Sequence, residues 1–483
     1  SYFIQLKEPV ILKNPVLAGY YLGFKTFSGD FDTVAKMKKL YETAFSKKDA
    51  AIFKGFYLTA KAYEVFYVSG DLENAIIQSQ EAIKHMPPSH ESIVRMLEYM
   101  QTVSYRYSGR IREALALCKP KRTKIVLMAG MDATNRADLD LEMGHLKNAR
   151  QIITEQVAAI ETVFGNNTPP ALFGFAYIIM GKILKEEYRL KEAQKCFAKG
   201  ISIIRNSDMV ELIVISYGEY SHFLTCCGNY PHAHEMVDRA LRSARQNFSW
   251  VEKLLLAQKN RIRLKEKKLD QVVIWADRYL VKKNMHIPFI QNMEYLTVAR
   301  YLIESGQIEK AVYILDSLIQ RDLKDDRRGQ LMESMVLKSK AVYLSGDTDG
   351  AAALLKNACD LGRNQGHVIV YLYDSEGMED VFRQCRSKGL LPGHLIPHLS
   401  FLDTVGKTDS KKEVIIHNFV EKLNTRELDI LKLFKEGVSN KEAADRLCLS
   451  VNTVRWYASR LFAKLDVKRR GQAVSKAEAL ELI

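Results

Sequence analysis

The chain has 483 residues, 47% of them apolar and 27% charged, with a formal net charge of +14. This balance excludes a disordered polyelectrolyte, and the length excludes a lone small domain, predicting several domains or one elongated array. Seven cysteines, an odd number without C-x-x-C pairs, exclude a disulfide framework, and no uninterrupted apolar run reaches membrane-spanning length.

In chain order, the first feature is a repeat. A short turn followed five residues later by a small or β-branched residue recurs as SGDFDTV, SGDLENA, SGRIREA, MGHLKNA, EYRLKEA, CGNYPHA, KKLDQV, SGQIEKA and SGDTDGA. The turn positions are Gly29, Gly70, Gly109, Gly144, Tyr188, Gly228, Lys267, Gly306 and Gly346, a period of about 40 residues. Each turn follows an aromatic-rich apolar helix pattern such as FKGFYLTAKAYEVFYV and precedes an amphipathic one such as ENAIIQSQEAIKHM. Two helices per repeat, glycine at the turn and alanine at the closest helix crossing are the requirements of a tetratricopeptide-like superhelix, expected over residues 1–365.

Two clusters inside this array invite a functional reading. His222, Cys226, Cys227, His232 and His234 are zinc-compatible residue types, but they straddle a Gly-Asn turn without a recognised ligand spacing, so buried packing is expected instead. Tyr217, Tyr220 and Phe223, like Phe173, Phe175 and Tyr177, have the spacing of inter-repeat packing rather than of an assignable effector pocket. Residues 1–419 carry +10 of the net charge, most of the excess on the array, read as a solvated basic surface.

Residues 366–403, including GHVIVYLYDSEGMEDVF, are expected to form a capping helical pair over the open end of the array. Residues 404–420, with VGKTDSKKEV, lack an apolar period and read as a hinge.

The last segment, 421–483, carries a charge of +4 from residue 420 onward and three helix starts in quick succession. Asn424 with Glu427, and Ser439 with Glu442, have capping-box spacing, and Ser450 is a third cap. Only Cys448 and Leu449 separate Leu447 from that cap, which forces the sharp crossing of a helix-turn-helix. On the third helix Val454, Ala458, Leu461 and Leu465 share an inward stripe, so Asn452, Trp456 and Ser459 point outward beside Arg455 and Arg460. Arg suits guanine, a planar apolar group suits a thymine methyl, and the cations Lys464, Lys468, Arg469 and Arg470 suit phosphates.

These motifs carry a resemblance. LNTRELDILKL, GVSNKEAADRL, SVNTVRWY and KLDVKRRGQA are similar to successive patterns of the LuxR-type (GerE) DNA-binding domain, with Asn424 for Thr, Ala444 for Ile and Tyr457 for His as departures. The resemblance implies an all-α fold in which the tetratricopeptide-like helical-repeat superhelix is followed by a small four-helix LuxR-type helix-turn-helix domain. It implies base reading by Arg455, Trp456 and Ser459, and backbone positioning by Asn440, Lys441, Asn452, Thr453, Arg460, Lys464 and Arg470. The last helix, from Gln472 to Leu482, would serve dimerisation on two half-sites, although its Val474, Ala477 and Glu481 spacing equally suits packing on its own domain.

The start of the chain and YLYDSEG resemble the sensor boundaries of large MalT-like LuxR regulators, in which a P-loop ATPase lies upstream. No G-x-x-x-x-G-K-[ST] occurs here, and a first residue that is Ser favours the C-terminal part of a longer regulator. Nor is there a Ser/His/Asp or Cys/His constellation, so no enzyme and no cofactor are expected of this chain. The expectations are a cytoplasmic bacterial transcription regulator of activating type, partnered by double-stranded promoter DNA, RNA polymerase and a small-molecule or protein effector, homodimeric on DNA and without a membrane partner. The rival expectation is a protein-interaction scaffold with a C-terminal helical docking domain.

Overall fold

The computed structural model describes residues 11, 14–44, 47–118, 126–165, 167–205, 207, 209–247, 249–403, 425–447, 449–464, 467 and 469–479. The fold is all-α. It divides into two compact units, one of residues 1–225 and 233–410 and the other of residues 226–232 and 411–483.

The repeat is built as its chemistry requires. Gly29, Gly70, Gly109, Gly144, Gly228, Gly306 and Gly346 take φ between 67° and 96°, the left-handed conformation that reverses the chain between two helices. The two substituted turns keep the conformation without the glycine: Tyr188 has φ 61° and Lys267 φ 60°. After seven of the nine turns the next amide returns to a carbonyl five residues back, as in Arg110 N to Tyr105 O at 2.8 Å, Arg189 N to Leu184 O at 2.8 Å and Gln307 N to Leu302 O at 2.8 Å. Five residues beyond each turn position the small side chain sits at the crossing, and Val34, Ala75, Ala114, Ala149, Ala193, Ala233, Val272, Ala311 and Ala351 are all fully buried. Backbone conformation and packing thus select the same period independently.

One repeat departs from the pattern. After Lys267, where an amphipathic helix is expected, the chain makes only a 3-10 turn at Leu269–Gln271 and a single helical turn at Val273–Ala276, and resumes helix at Asn292–Glu304. Asn284 in the left-handed region and Pro288, which lacks an amide donor, prevent a continuous helix between them. At 366–403 the expected helical pair is a one-turn helix at Ile369–Leu372, a nine-residue helix at Glu379–Ser387 and 3-10 turns at Ile396–His398 and Ser400–Asp403. These short pieces still close the core, because Tyr371, Val381, Phe382, Leu395 and Leu399 are buried against Met332, Val336 and Leu355.

Turns of the first half of the array meet residues about 180 positions later, so the array closes on itself. Trp250 covers Gly70 and donates its indole N–H to the Phe66 carbonyl at 2.9 Å. Phe289 lies on Gly109, where a Cβ would fall 2.2 Å from its ring, and is itself flanked by the guanidinium carbons of Arg321 and Arg327, each 4.3 Å from the ring centre. Arg328 covers Gly144, whose carbonyl meets His367 Nε2 at 3.1 Å, and the Val368 amide donates to the Glu186 carbonyl at 2.8 Å. Bare glycine surface is what lets the second half approach so closely.

Candidate nucleic-acid interface

In the C-terminal unit, helices run over Thr425–Lys435, Asn440–Leu447, Val451–Lys464 and Arg470–Ala479. The first ends at Gly437, φ 81°, with the Val438 amide returning to the Leu433 carbonyl at 3.3 Å. The second begins with a reciprocal capping box: Ser439 N donates to Glu442 Oε2 at 2.6 Å and Glu442 N donates to Ser439 Oγ at 3.3 Å. The backbone hydrogen bond from Ser439 holds the Glu442 carboxyl below its ordinary range. The third is capped by Ser450, whose Oγ accepts from the Thr453 amide at 3.0 Å and shares a hydrogen bond with the Thr453 hydroxyl at 2.7 Å. Asn424 lies outside the described residues. Its expected partner Glu427 is fully buried, with its carboxylate 3.7 Å from Arg460 Nε.

Ile430, Leu431, Phe434, Ala443, Ala444, Val454, Ala458, Leu461, Ala473 and Ala477 form the core of the unit. With Val454, Ala458 and Leu461 fixed inward, the opposite face of the third helix presents Asn452, Arg455 and Ser459, all exposed. No ion pair occupies Arg455 among the described residues. Lys441 is exposed and Asn440 half-buried at the start of the second helix. Arg460 is 44% exposed, so its tie to Glu427 leaves much of its guanidinium open to solvent. The side chains of Trp456 and Lys464, and residues Leu465 and Glu481, lie outside the described residues.

Arg470 was expected on phosphates, and its placement assigns it another role. Its Nη2 donates to the carbonyls of Val438, Phe434 at 3.3 Å and Leu433 at 3.5 Å, and its guanidinium carbon stacks 4.2 Å from the Phe434 ring. It therefore satisfies the carboxyl end of the first helix and ties the fourth helix to it. Likewise Ala477 is consumed by the unit's own core, leaving half-buried Val474 as the described apolar position on that helix with area to offer elsewhere.

Within the array, the residues singled out for zinc go to separate partners. His222 Nδ1 sits 3.4 Å from Lys185 Nζ, His232 meets Asn229 at 3.0 Å, His234 meets Glu266 at 2.8 Å, and Cys226 and Cys227 are buried. Among the described residues no three such groups gather for a metal. Tyr217, Phe223, Phe173, Phe175 and Tyr177 are buried, and Tyr220 stacks on Phe197 at 5.5 Å. No helix of the described residues is long and apolar enough to cross a membrane.

Sequence reasoning did not foresee the charged interior of the array. Arg300 donates to both oxygens of Asp374, at 3.2 Å to Oδ1 and 2.7 Å to Oδ2, and to Glu333 at 2.7 Å, and Arg261 reaches Glu333 at 2.6 Å. Lys265, Arg261 and Arg300 surround the Tyr373 ring at 4.1, 5.3 and 5.3 Å. Lys182 joins Asp138 at 2.6 Å to Glu219 at 2.9 Å. Burial alone would push the Asp138 and Asp374 carboxyls up, yet Arg106 with Lys182, and Arg300 with Lys265, hold them far below the ordinary range. The signal available in the sequence was the arginines inside otherwise apolar helix patterns, together with the Tyr-Asp step of YLYDSEG.

Residues 108–388 match the family model of the MalT-like TPR region. The chain belongs to that family. The C-terminal unit of this MalT-like chain matches the bacterial regulatory proteins of the luxR family over residues 421–477. Curated relatives include the HTH-type transcriptional regulators MalT of Vibrio campbellii, 20% identical over 99% of this chain and 55% of that protein, and of Yersinia pestis, 21% identical over 98% and 55%. MalT of Vibrio cholerae is 22% identical over 71% of this chain and 40% of that protein. The MalT-like chain therefore spans about half the length of the curated relatives it matches. A solved Rap protein, in complex with competence and sporulation factor, shares the fold of the array: TM-score 0.50, 12% identity, 73% of this chain and 99% of that one.

Proposed function

We propose that this MalT-like chain acts as a sequence-specific DNA-binding transcription regulator of activating type, in a bacterial cytoplasm. The observation that carries it is the capped third helix of a luxR-family domain presenting Asn452, Arg455 and Ser459 on one exposed face. In a major groove that face puts Arg455, Trp456 and Ser459 against base edges, while Asn440, Lys441, Asn452, Thr453, Arg460 and Lys464 meet phosphates. The array receives an effector, and a ligand that prefers one arrangement of the chain shifts the population able to pair on two half-sites and engage RNA polymerase. The chemistry assigned to this chain is binding. A P-loop, required to cradle a nucleotide phosphate, is absent from its sequence.

The test is titration of the chain against promoter fragments at two salt concentrations. Specific retardation that weakens steeply with salt is expected. Salt-insensitive association with protein partners and no retardation would instead favour the scaffold.

A further inference from the structure

Inside the array, two adjoining cavities remain that the nucleic-acid interface does not use. One, of about 200 Å³, is lined by Lys182, Glu186, His222, Arg261, Arg300 and Asp374, among others. His222 also lines the second, of about 130 Å³, whose walls include Val214, Ile215, Trp250, Leu254 and Met293. The array interior thus joins a charged compartment to an apolar one through a single side chain.

The charged compartment is close to electrically balanced. Arg106, Lys182, Arg261 and Arg300 face Asp138, Glu142, Glu333 and Asp374, most of them paired with one another, and the fifth carboxylate, Glu186, is paired through Oε1 with Lys185 at 2.9 Å. Two buried atoms of opposite chemistry are left over. Arg261 is 3% exposed, and its Nε–H has no acceptor among the described residues; Glu186 Oε2 likewise has no donor. In the apolar compartment Gln258, also 3% exposed, leaves its Oε1 without a donor. Buried donors and acceptors left unmade are costly, and the side chains that carry these three line the cavities. A ligand with net charge would add an uncompensated charge to a balanced, buried site, whereas one carrying both signs adds none.

We propose that the array interior binds a zwitterion of the α-amino-acid type with an apolar side chain. Its carboxylate accepts from the Arg261 Nε–H, its ammonium donates to Glu186, and its side chain passes His222 into the cavity walled by Trp250. This deepens the sensing role proposed above and rests on that reading for its regulatory meaning.

The experiment is titration calorimetry of the full chain with phenylalanine and with leucyl-phenylalanine, against N-acetylphenylalanine, phenylalanine amide and glycine. The expected result is saturable binding of at least one of the two zwitterions, weakened by roughly tenfold or more when either charged end or the side chain is removed. No heat from either at millimolar concentration, or equal binding of the blocked forms, overturns the proposal. Arg261→Gln should abolish the distinction between phenylalanine and its amide. Because that variant also loses the Glu333 pair, Ile215→Trp, which fills the apolar cavity and leaves the charged one intact, provides an independent check: it should abolish phenylalanine binding, and unchanged affinity in a folded variant overturns the site. Promoter retardation measured in parallel separates the two ideas. Retardation without heat sinks the ligand, and heat without retardation sinks the regulator.

Discussion

Arg455 and Arg470 show how one residue type at two positions does different work. Arg455 is exposed on the face proposed above to enter the groove, so Arg455→Ala should cost about 1–3 kcal/mol of DNA affinity and relax preference at its base. Lys441→Ala should weaken all sequences alike and flatten the salt slope by about one unit, read from the same titrations. Arg470 is bound to three carbonyls of its own unit. Arg470→Ala should therefore destabilise the unit by about 1–3 kcal/mol, seen as faster amide exchange over residues 425–438 without DNA present. A purely phosphate-binding arginine would leave that exchange unchanged. Sequence spacing placed both arginines near DNA, because charge type and helix position are readable in one dimension. That Arg470 folds back onto Phe434 depends on how the fourth helix packs, which no local pattern encodes.

Among elements, the turns separate backbone conformation from close approach. Gly306 and Gly109 both have positive φ, but a Cβ at Gly306 meets open space and one at Gly109 meets Phe289. Gly306→Ala should cost about 1–2 kcal/mol from the left-handed backbone alone. Gly109→Ala should cost more, by about 1–3 kcal/mol, because Phe289 must leave its place between Arg321 and Arg327. Thermal unfolding of the two variants side by side measures the difference, and equal losses would mean that the closure of the array contributes nothing there. The repeat itself was legible, since all nine predicted turn positions adopt positive φ. The short pieces at 269–291 and 366–403 were not, because apolar periodicity continues through them and only tertiary packing decides how much of it forms helix.

At the scale of the whole molecule, burial of ionisable groups makes stability depend on pH. Burial, against hydrogen bonds from Tyr67 and Tyr99, pushes the Glu211 carboxyl from an ordinary 4.5 up to about 7. The native protein therefore holds a proton that the unfolded chain releases. This contribution is complete below about 4.5 and is lost as pH rises through about 7. His222 and His367 act in the opposite sense: burial lowers both, so their contribution is present above an ordinary 6.5 and is lost as pH falls. Comparing Glu211→Gln with the parent isolates the carboxyl. The variant should gain on the parent by on the order of 1–3 kcal/mol between pH 5 and pH 8, measured by denaturant unfolding, and a constant difference across that range would refute the assignment.

What the sequence by itself determined was most of what repeats or caps locally: the 40-residue period, the left-handed turns, the small residue at each crossing, the capping box at Ser439 and the inward stripe of the third helix. These follow from backbone sterics and helix geometry, which act within a few residues and so leave a mark in the string. What only the tertiary structure decided was which distant residues meet: Trp250 on Gly70, Phe289 on Gly109, and the arginines, carboxylates and Tyr373 gathered inside the array. Those contacts arise because the array returns on itself after about 180 residues, and the register of that return is the accumulated sum of small rotations at every helix crossing.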